Sequence, residues 1–248
     1  MFFRTTEEAQ HVYKKWKRVH QPLPFQGKLS AALGQYYEDT LAQNHLENVR
    51  LEGNQLIPDH QGIPLRDSKF SFAYPIIKQM AQGIYSLHQR RLAHGKLDLD
   101  TVCITHTTEF VILTDFSHLV TNEAEYRSGD PAYYSPERLK YARQVPRPKL
   151  LHFNPLPFTV DMMLQDDMWA VGCILYFLVT GQAFYDLKSV QAYLASGQQY
   201  VLDALEKEGK TKIEKLSDTN VKSILNKLLV PDFSKRWTSK QLVQWFST

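Results

Sequence analysis

Between His94 and Ser117 the chain reads HGKLDLDTVCITHTTEFVILTDFS, and this stretch gathers the side chains best equipped for chemistry: His94, Lys96, Asp98, Thr101 and Asp115. Proton transfer needs a group with an available lone pair. The Lys96 ammonium has three donors and no acceptor, so it takes no proton while charged. Asp98 lies two residues away and is as suited to pairing with Lys96 as to acting as a base. Asp115 offers one carboxylate, a weak metal site when alone, and its place in TDFS also suits the capping of a turn.

Those residues must be held by flanking elements. FAYPIIKQMAQGIYSLH puts Phe72, Ile76, Met80, Ile84 and Leu87 at helical spacing immediately before the stretch. Val102–Ile104 and Phe110–Leu113 alternate as a hairpin within it. Downstream, the apolar run Met168–Val179 is shorter than a bilayer requires and predicts a buried helix, with Val171, Ile174, Leu175 and Leu178 in the core. Val221, Ile224, Leu225 and Leu228 repeat at helical spacing, and Leu242, Trp245 and Phe246 form a last buried face.

Toward the amino terminus, Thr5–Val19 predicts a helix opened by the TTEE capping box. Its KKWKR run either complements the helix macrodipole or, with Trp16, forms a docking patch. HQPLPFQG breaks that helix, a second runs from about Leu29 to Leu46, and NVRLEGNQLIP predicts a hairpin about its GN turn. KYARQVPRPKLLHFNPLPFTVDMMLQ carries four prolines with exposed Phe153 and Phe158. It reads as a solvated insertion or as a proline-stiffened anchor for a partner.

Composition bounds the function classes. A chain of 248 residues, 43% hydrophobic, can bury a substantial core, and a net charge of +3 with no strongly basic patch argues against nucleic acid as a partner. The two cysteines, Cys103 and Cys173, sit in apolar runs and predict buried thiols in a reducing compartment. MFFRTTEEAQ has neither the pattern of a secretory signal nor, with its two glutamates, that of a transit peptide, so a cytoplasmic or nuclear location is expected.

HGKLDLDT, TDFS, GDPAYYSPE and DDMWAVG stand in the order of a known set of motifs, and the chain resembles the eukaryotic protein kinases, whose signatures include HRDLxxxN, DFG and APE. From about Ser71 to the end it is most similar to a serine/threonine-kinase large lobe. The resemblance implies that Lys96 occupies the position of the catalytic aspartate, Asp98 that of the lysine that neutralises the transferring phosphoryl group, and Thr101 that of an asparagine metal ligand. Asp115 would stand on the magnesium ligand, and Ser117 replaces the following glycine. Gly95 replaces the arginine that receives an activation-loop phosphate, so modification of Thr121 or Ser128 would lack its reader. Asp130 replaces a threonine, and an ion pair of Lys96 with Asp130 or Asp98 would lock the segment shut.

The same resemblance gives structural roles to five residues. His94 and Phe116 would join an internal hydrophobic column, Glu137 would pair with Arg236, and Asp167 would hold the backbone of the loop. Upstream, Gly27 and Gly34 are too far apart for a phosphate-covering loop, no VAIK-like strand lysine precedes the second helix, and Glu38 would lack its partner.

The expected fold class is therefore α+β: a protein-kinase-like fold with a reduced N-lobe at 1–70 and a complete, mostly α-helical C-lobe at 71–248, bearing an insertion at about 140–165. The expected function is that of a pseudokinase: no catalytic residue, no ATP or magnesium cofactor, and work as a regulatory, adaptor or architectural subunit. Its partners would be other proteins, a larger complex or an active kinase, with no nucleic acid and no membrane span. The alternative is an atypical nucleotide-dependent transferase that uses Asp115 for its metal.

Overall fold

Apolar side chains at every third or fourth position need a second surface to cover them, and this requirement builds most of the observed elements. The computed structural model describes residues 6–19, 49–52, 55–58, 62–68, 73–105, 110–115, 129–144 and 158–248. The predicted second helix, the Gly27, Gly34 and Glu38 positions, Phe72, Phe116, Ser117, Thr121, Ser128 and Phe153 lie outside them, as do the side chain of Trp16 and residues 145–157 of the insertion. The chain divides into two compact units, one of Met1–His94, Leu99–Thr121 and Ser239–Thr248, the other of Gly95–Asp98 and Asn122–Thr238.

In the first unit, helix α1 (Thr6–Val19) buries Ala9 and Val12. Strands β1 (Val49–Glu52) and β2 (Gln55–Pro58) pair antiparallel with Glu52 opposite Gln55, and the GN turn expected for this hairpin lies outside the described residues. A separate three-stranded sheet has the order β3 (Gly62–Pro64), β4 (Val102–Thr105), β5 (Val111–Leu113), all antiparallel. The β4–β5 hairpin follows the alternation in the sequence; β3 was not anticipated. Helix α2 (Ala73–Gln89) buries Ile76, Met80, Ile84 and Leu87, and its Gln79 Oε1 accepts the Val111 N–H at 2.9 Å, tying the helix to the β5 edge. Helix α8 (Ser239–Trp245) closes this unit. Leu242 is buried, while half-buried Trp245 stacks on Tyr74 with centroids 6.4 Å apart.

The second unit is mostly helical. Helix α3 (Pro136–Gln144) follows a short 3-10 turn (Pro131–Tyr133), and α4 (Val160–Thr180) is the longest helix of the unit and buries the most residues. The Thr159 side chain caps its start, Gly181 ends it in the left-handed region, and Met168–Tyr176 are all buried. At 21 residues, α4 is longer than the apolar run predicted; by length and composition it could cross a bilayer, yet 72% of its most apolar window is buried inside the protein. Helices α5 (Leu187–Ser196) and α6 (Gln199–Glu214) were not anticipated, whereas α7 (Thr219–Leu228) buries the four predicted residues. Cys103 and Cys173 are buried, and neither is in a disulfide.

Phe158 corrects an expectation. Read as exposed, it is 1% accessible and packs on Tyr141 with ring centroids 5.0 Å apart, because α3 continues to Gln144 and presents that ring to the residue preceding α4. The α+β class expected from the sequence is what the chain has, with small antiparallel sheets beside a mostly helical remainder.

The Asp186 carboxylate caps α5 by accepting the Ser189 N–H and Oγ–H, both at 2.9 Å, and these bonds hold its pKa below the ordinary value of 3.8. A depressed folded-state pKa gives a stabilisation fully present above the ordinary value and lost as pH falls through the lower, folded one. Acid unfolding followed by circular dichroism should therefore show the margin of the wild-type chain over Asp186→Asn shrinking as the pH drops below 3.8. A margin that stays constant down to complete protonation would show that the cap is not linked to ionisation.

Candidate functional site

The singled-out residues fall in both units. His94, Thr101 and Asp115 belong to the first; Lys96, Asp98, Glu137, Asp167 and Arg236 belong to the second.

In the first unit the β4–β5 hairpin is tied off at its base. The Thr114 amide and hydroxyl both donate to the Thr101 carbonyl, at 2.8 and 3.1 Å, so Thr101, 2% exposed, serves the closure through its backbone. Fully buried His94 donates from Nε2 to the Thr114 carbonyl at 2.9 Å. Asp115 follows at φ 58°, in the left-handed region that aspartate tolerates better than most side chains. Among the described residues no group of three or more His, Cys, Asp or Glu side chains gathers as a metal site, so Asp115 has no such cluster to join.

In the second unit the loop after His94 is gripped at one residue from two sides. Gly95 sits at φ 77°, a conformation that costs a residue with a side chain about 1–2 kcal/mol. Its N–H donates to Asp167 Oδ1 at 3.0 Å, and its carbonyl accepts from Arg138 Nη2 at 3.2 Å. Lys96 follows, with its aliphatic stem beside Gly129: a Cβ on that glycine would stand 3.6 Å from Lys96 Cγ. Asp98 is buried. Asp130, offered by the sequence as one partner for Lys96, accepts the Ala132 N–H at Oδ1, 3.0 Å away, and caps the 3-10 turn.

Two buried arginines organise the surroundings. Arg236 makes a fork with Glu137, Nη1 to Oε1 at 2.6 Å and Nη2 to Oε2 at 3.0 Å, and also donates to the carbonyls of Gln165 and Val230. Arg138 donates from Nη1 to Asp166 Oδ2 at 2.7 Å, while its guanidinium lies 3.8 Å from the centroid of the Tyr134 ring. Asp166 Oδ1 accepts the Ser135 N–H at 3.0 Å, and the Tyr134 hydroxyl donates to the Gly129 carbonyl at 2.9 Å while accepting the Gly129 N–H at 2.6 Å. Thus Gly95, Gly129, Tyr134, Ser135, Arg138 and Asp166 form one continuous polar network. Sequence reading missed Arg138, Asp166 and Tyr134. The signal available was the adjacent charges in Glu137–Arg138 and Asp166–Asp167, the second pair directly before an apolar run.

The arrangement supplies donors and fixed backbone. The family model described as the protein kinase domain matches residues 52–246, and the chain belongs to that family. It is similar to Protein kinase kin1 of Schizosaccharomyces pombe, 25% identical over 175 residues, which are 69% of this chain and 17% of that protein. Human Death-associated protein kinase 2 is 25% identical over 179 residues, covering 69% of this chain and 42% of the relative. Serine/threonine-protein kinase plk-1 of Caenorhabditis elegans is 26% identical over 168 residues, 66% of this chain and 22% of its own. Against these three curated relatives the chain spans 17%, 42% and 22% of their length.

Because the Arg236 and Glu137 side chains are 0% and 8% exposed, truncating one strands the other in a dry site. Glu137→Ala should cost about 3–5 kcal/mol in urea unfolding. A loss below about 1 kcal/mol, the range of a surface pair, would mean that the guanidinium finds solvent.

Proposed function

We propose that this protein-kinase domain has lost phosphoryl transfer and acts through its surface, as a regulatory, adaptor or architectural subunit bound to other proteins, in a larger complex or on an active kinase, in the cytoplasm or nucleus. The reading rests on Lys96. A protein kinase's catalytic loop presents a carboxylate to take the proton of the attacking hydroxyl, and HGKLDLDT has an ammonium in its place. General acid–base catalysis contributes about 100-fold to 10,000-fold, all of which an ammonium forfeits. Asp98 compounds the loss, since a carboxylate beside a transferring phosphoryl group opposes the charge that must be stabilised.

The side chains at hand fit a magnesium nucleotide poorly. Thr101 is buried in the base of the hairpin, and Asp115 stands outside any three-residue metal cluster among the described residues. Both observations weigh against the metal-dependent transferase alternative. What is kept, the grip of Asp167 on Gly95 and the Glu137–Arg236 fork, supports a loop and turn that hold their shape for recognition without chemistry.

Thermal unfolding with millimolar ATP and magnesium tests this directly. A bound ligand at 100 times its dissociation constant adds about 2.7 kcal/mol, so a competent site raises the midpoint by several degrees. The expected result is no shift, and none for Lys96→Asp, because one restored carboxylate leaves Asp98 and Thr101 in place. A magnesium-dependent shift together with phosphate transfer to any substrate would sink the reading.

A further inference from the structure

Within the second unit, α4, α6, the end of α7 and the residues after it line an open cleft of about 590 Å³. Its floor is apolar, with Trp169, Phe184, Tyr185, Ile213 and Leu229, and its volume falls in the range of ligand sites. One wall is a single face of α6: Asp203, Glu206, Lys207 and Lys210, at the helical spacing that aligns side chains along one side.

Three features of this wall point the same way. Its charges are ordered, an acidic pair in the N-terminal half and a lysine pair in the C-terminal half, Asp203 and Lys210 lying about 10 Å apart along the axis at 1.5 Å per residue. One turn before Asp203, at the matching spacing, stands Tyr200, 67% exposed and the most accessible of the large hydrophobic side chains among the described residues. Tyrosine is among the residue types that anchor interfaces. Third, Phe184 is fixed in the floor: its ring lies where a Cβ on Gly209 would be 2.5 Å away, and Lys212 Nζ binds its carbonyl at 2.7 Å. The apolar floor is therefore preformed.

We propose that this face of α6 and the cleft behind it dock an amphipathic helix of a partner protein, which inserts apolar side chains against Phe184 and Leu229 and sets bases opposite Asp203 and Glu206 and acids opposite Lys207 and Lys210. The ordered charges, set along about 10 Å of α6, match an occupant that runs beside the helix and presents the opposite order of charge. Burial raises the carboxyl of Glu206, an effect that Lys140 opposes, and a partner base would lower it further. The inference deepens the reading of the chain as one that works by its surface, and it fails separately: magnesium-dependent ATP binding with phosphate transfer would overturn that reading and leave the docking face intact.

Three synthetic helices of about 14 residues, four turns, test it by fluorescence polarisation. They share a leucine stripe and differ in carrying one lysine pair and one glutamate pair, only lysines, or only glutamates. The mixed peptide should bind the wild-type chain about tenfold or more tighter than either single-sign peptide. Tyr200→Ala should weaken it about tenfold, with an unchanged melting temperature because the side chain is exposed. Lys207→Glu with Lys210→Glu makes the wall wholly acidic and should transfer the preference to the all-lysine peptide. Equal affinity for the three peptides, a preference unmoved by the double reversal, or binding indifferent to Tyr200→Ala would overturn the proposal. So would cleft occupancy by the dye anilinonaphthalene sulfonate with no peptide binding.

Discussion

Two guanidinium groups are removed from water in the second unit, and the backbone around them is arranged to satisfy both. Desolvating such an ion costs several kcal/mol unless charge and hydrogen bonds are returned to it in good geometry. Arg236 receives both oxygens of Glu137 and two carbonyls; Arg138 receives Asp166, the Gly95 carbonyl and the face of Tyr134. Because a guanidinium is planar and its donors diverge at fixed angles, these acceptors cannot drift independently. Glu137 and Arg138 are neighbours on α3, so one short helix is registered both to the turn bearing Arg236 and to the middle of α4.

The consequence reaches the loop that begins at Gly95. Asp166 and Asp167 are adjacent on α4 but point their work in different directions: Asp166 holds the Ser135 amide and Arg138, and Asp167 holds the Gly95 amide. The position of Gly95 therefore follows from the core helix and not from Lys96 or Asp98. A framework of this kind survives changes in the residues it presents. That separation between what places a loop and what the loop can do is why membership of the protein kinase family, carried over residues 52–246, does not by itself define an activity.

Legibility in the sequence followed the range of the interaction. Helices α2 and α7 were readable because their burial pattern is local and periodic, and the two hairpins because their turns or alternation lie within a dozen residues. Strand β3 is only Gly62–Pro64, and what makes it a strand is β4, some forty residues later. Arg138 and Asp166 are 28 residues apart, and nothing local to either charge points to the other. Phe158 was misplaced for a related reason: among prolines it reads as loop, and only the ring of Tyr141, 17 residues earlier in the same stretch, reveals the burial. Glu137 and Arg236, 99 residues apart, were linked through the family resemblance and by nothing local.

The aromatic floor near α6 depends on a trade between helix stability and packing. Gly209 lies inside α6, where glycine costs about 1 kcal/mol relative to alanine. Any side chain there would strike the Phe184 ring, which meets Trp169, Tyr176 and Tyr185 with centroids 5.1–5.9 Å apart. Contacts of this kind contribute about 0.5–1.5 kcal/mol each beyond the area they bury, so the cluster more than offsets the glycine. The core face of α6, with Leu202, Leu205 and Ile213 buried, is thereby secured without help from Asp203, Glu206, Lys207 or Lys210. Asp203 accepts a bond from Gln199 Nε2 at 2.8 Å, and acids ahead of lysines suit the helix macrodipole, so these side chains serve α6 itself as well as the face they present.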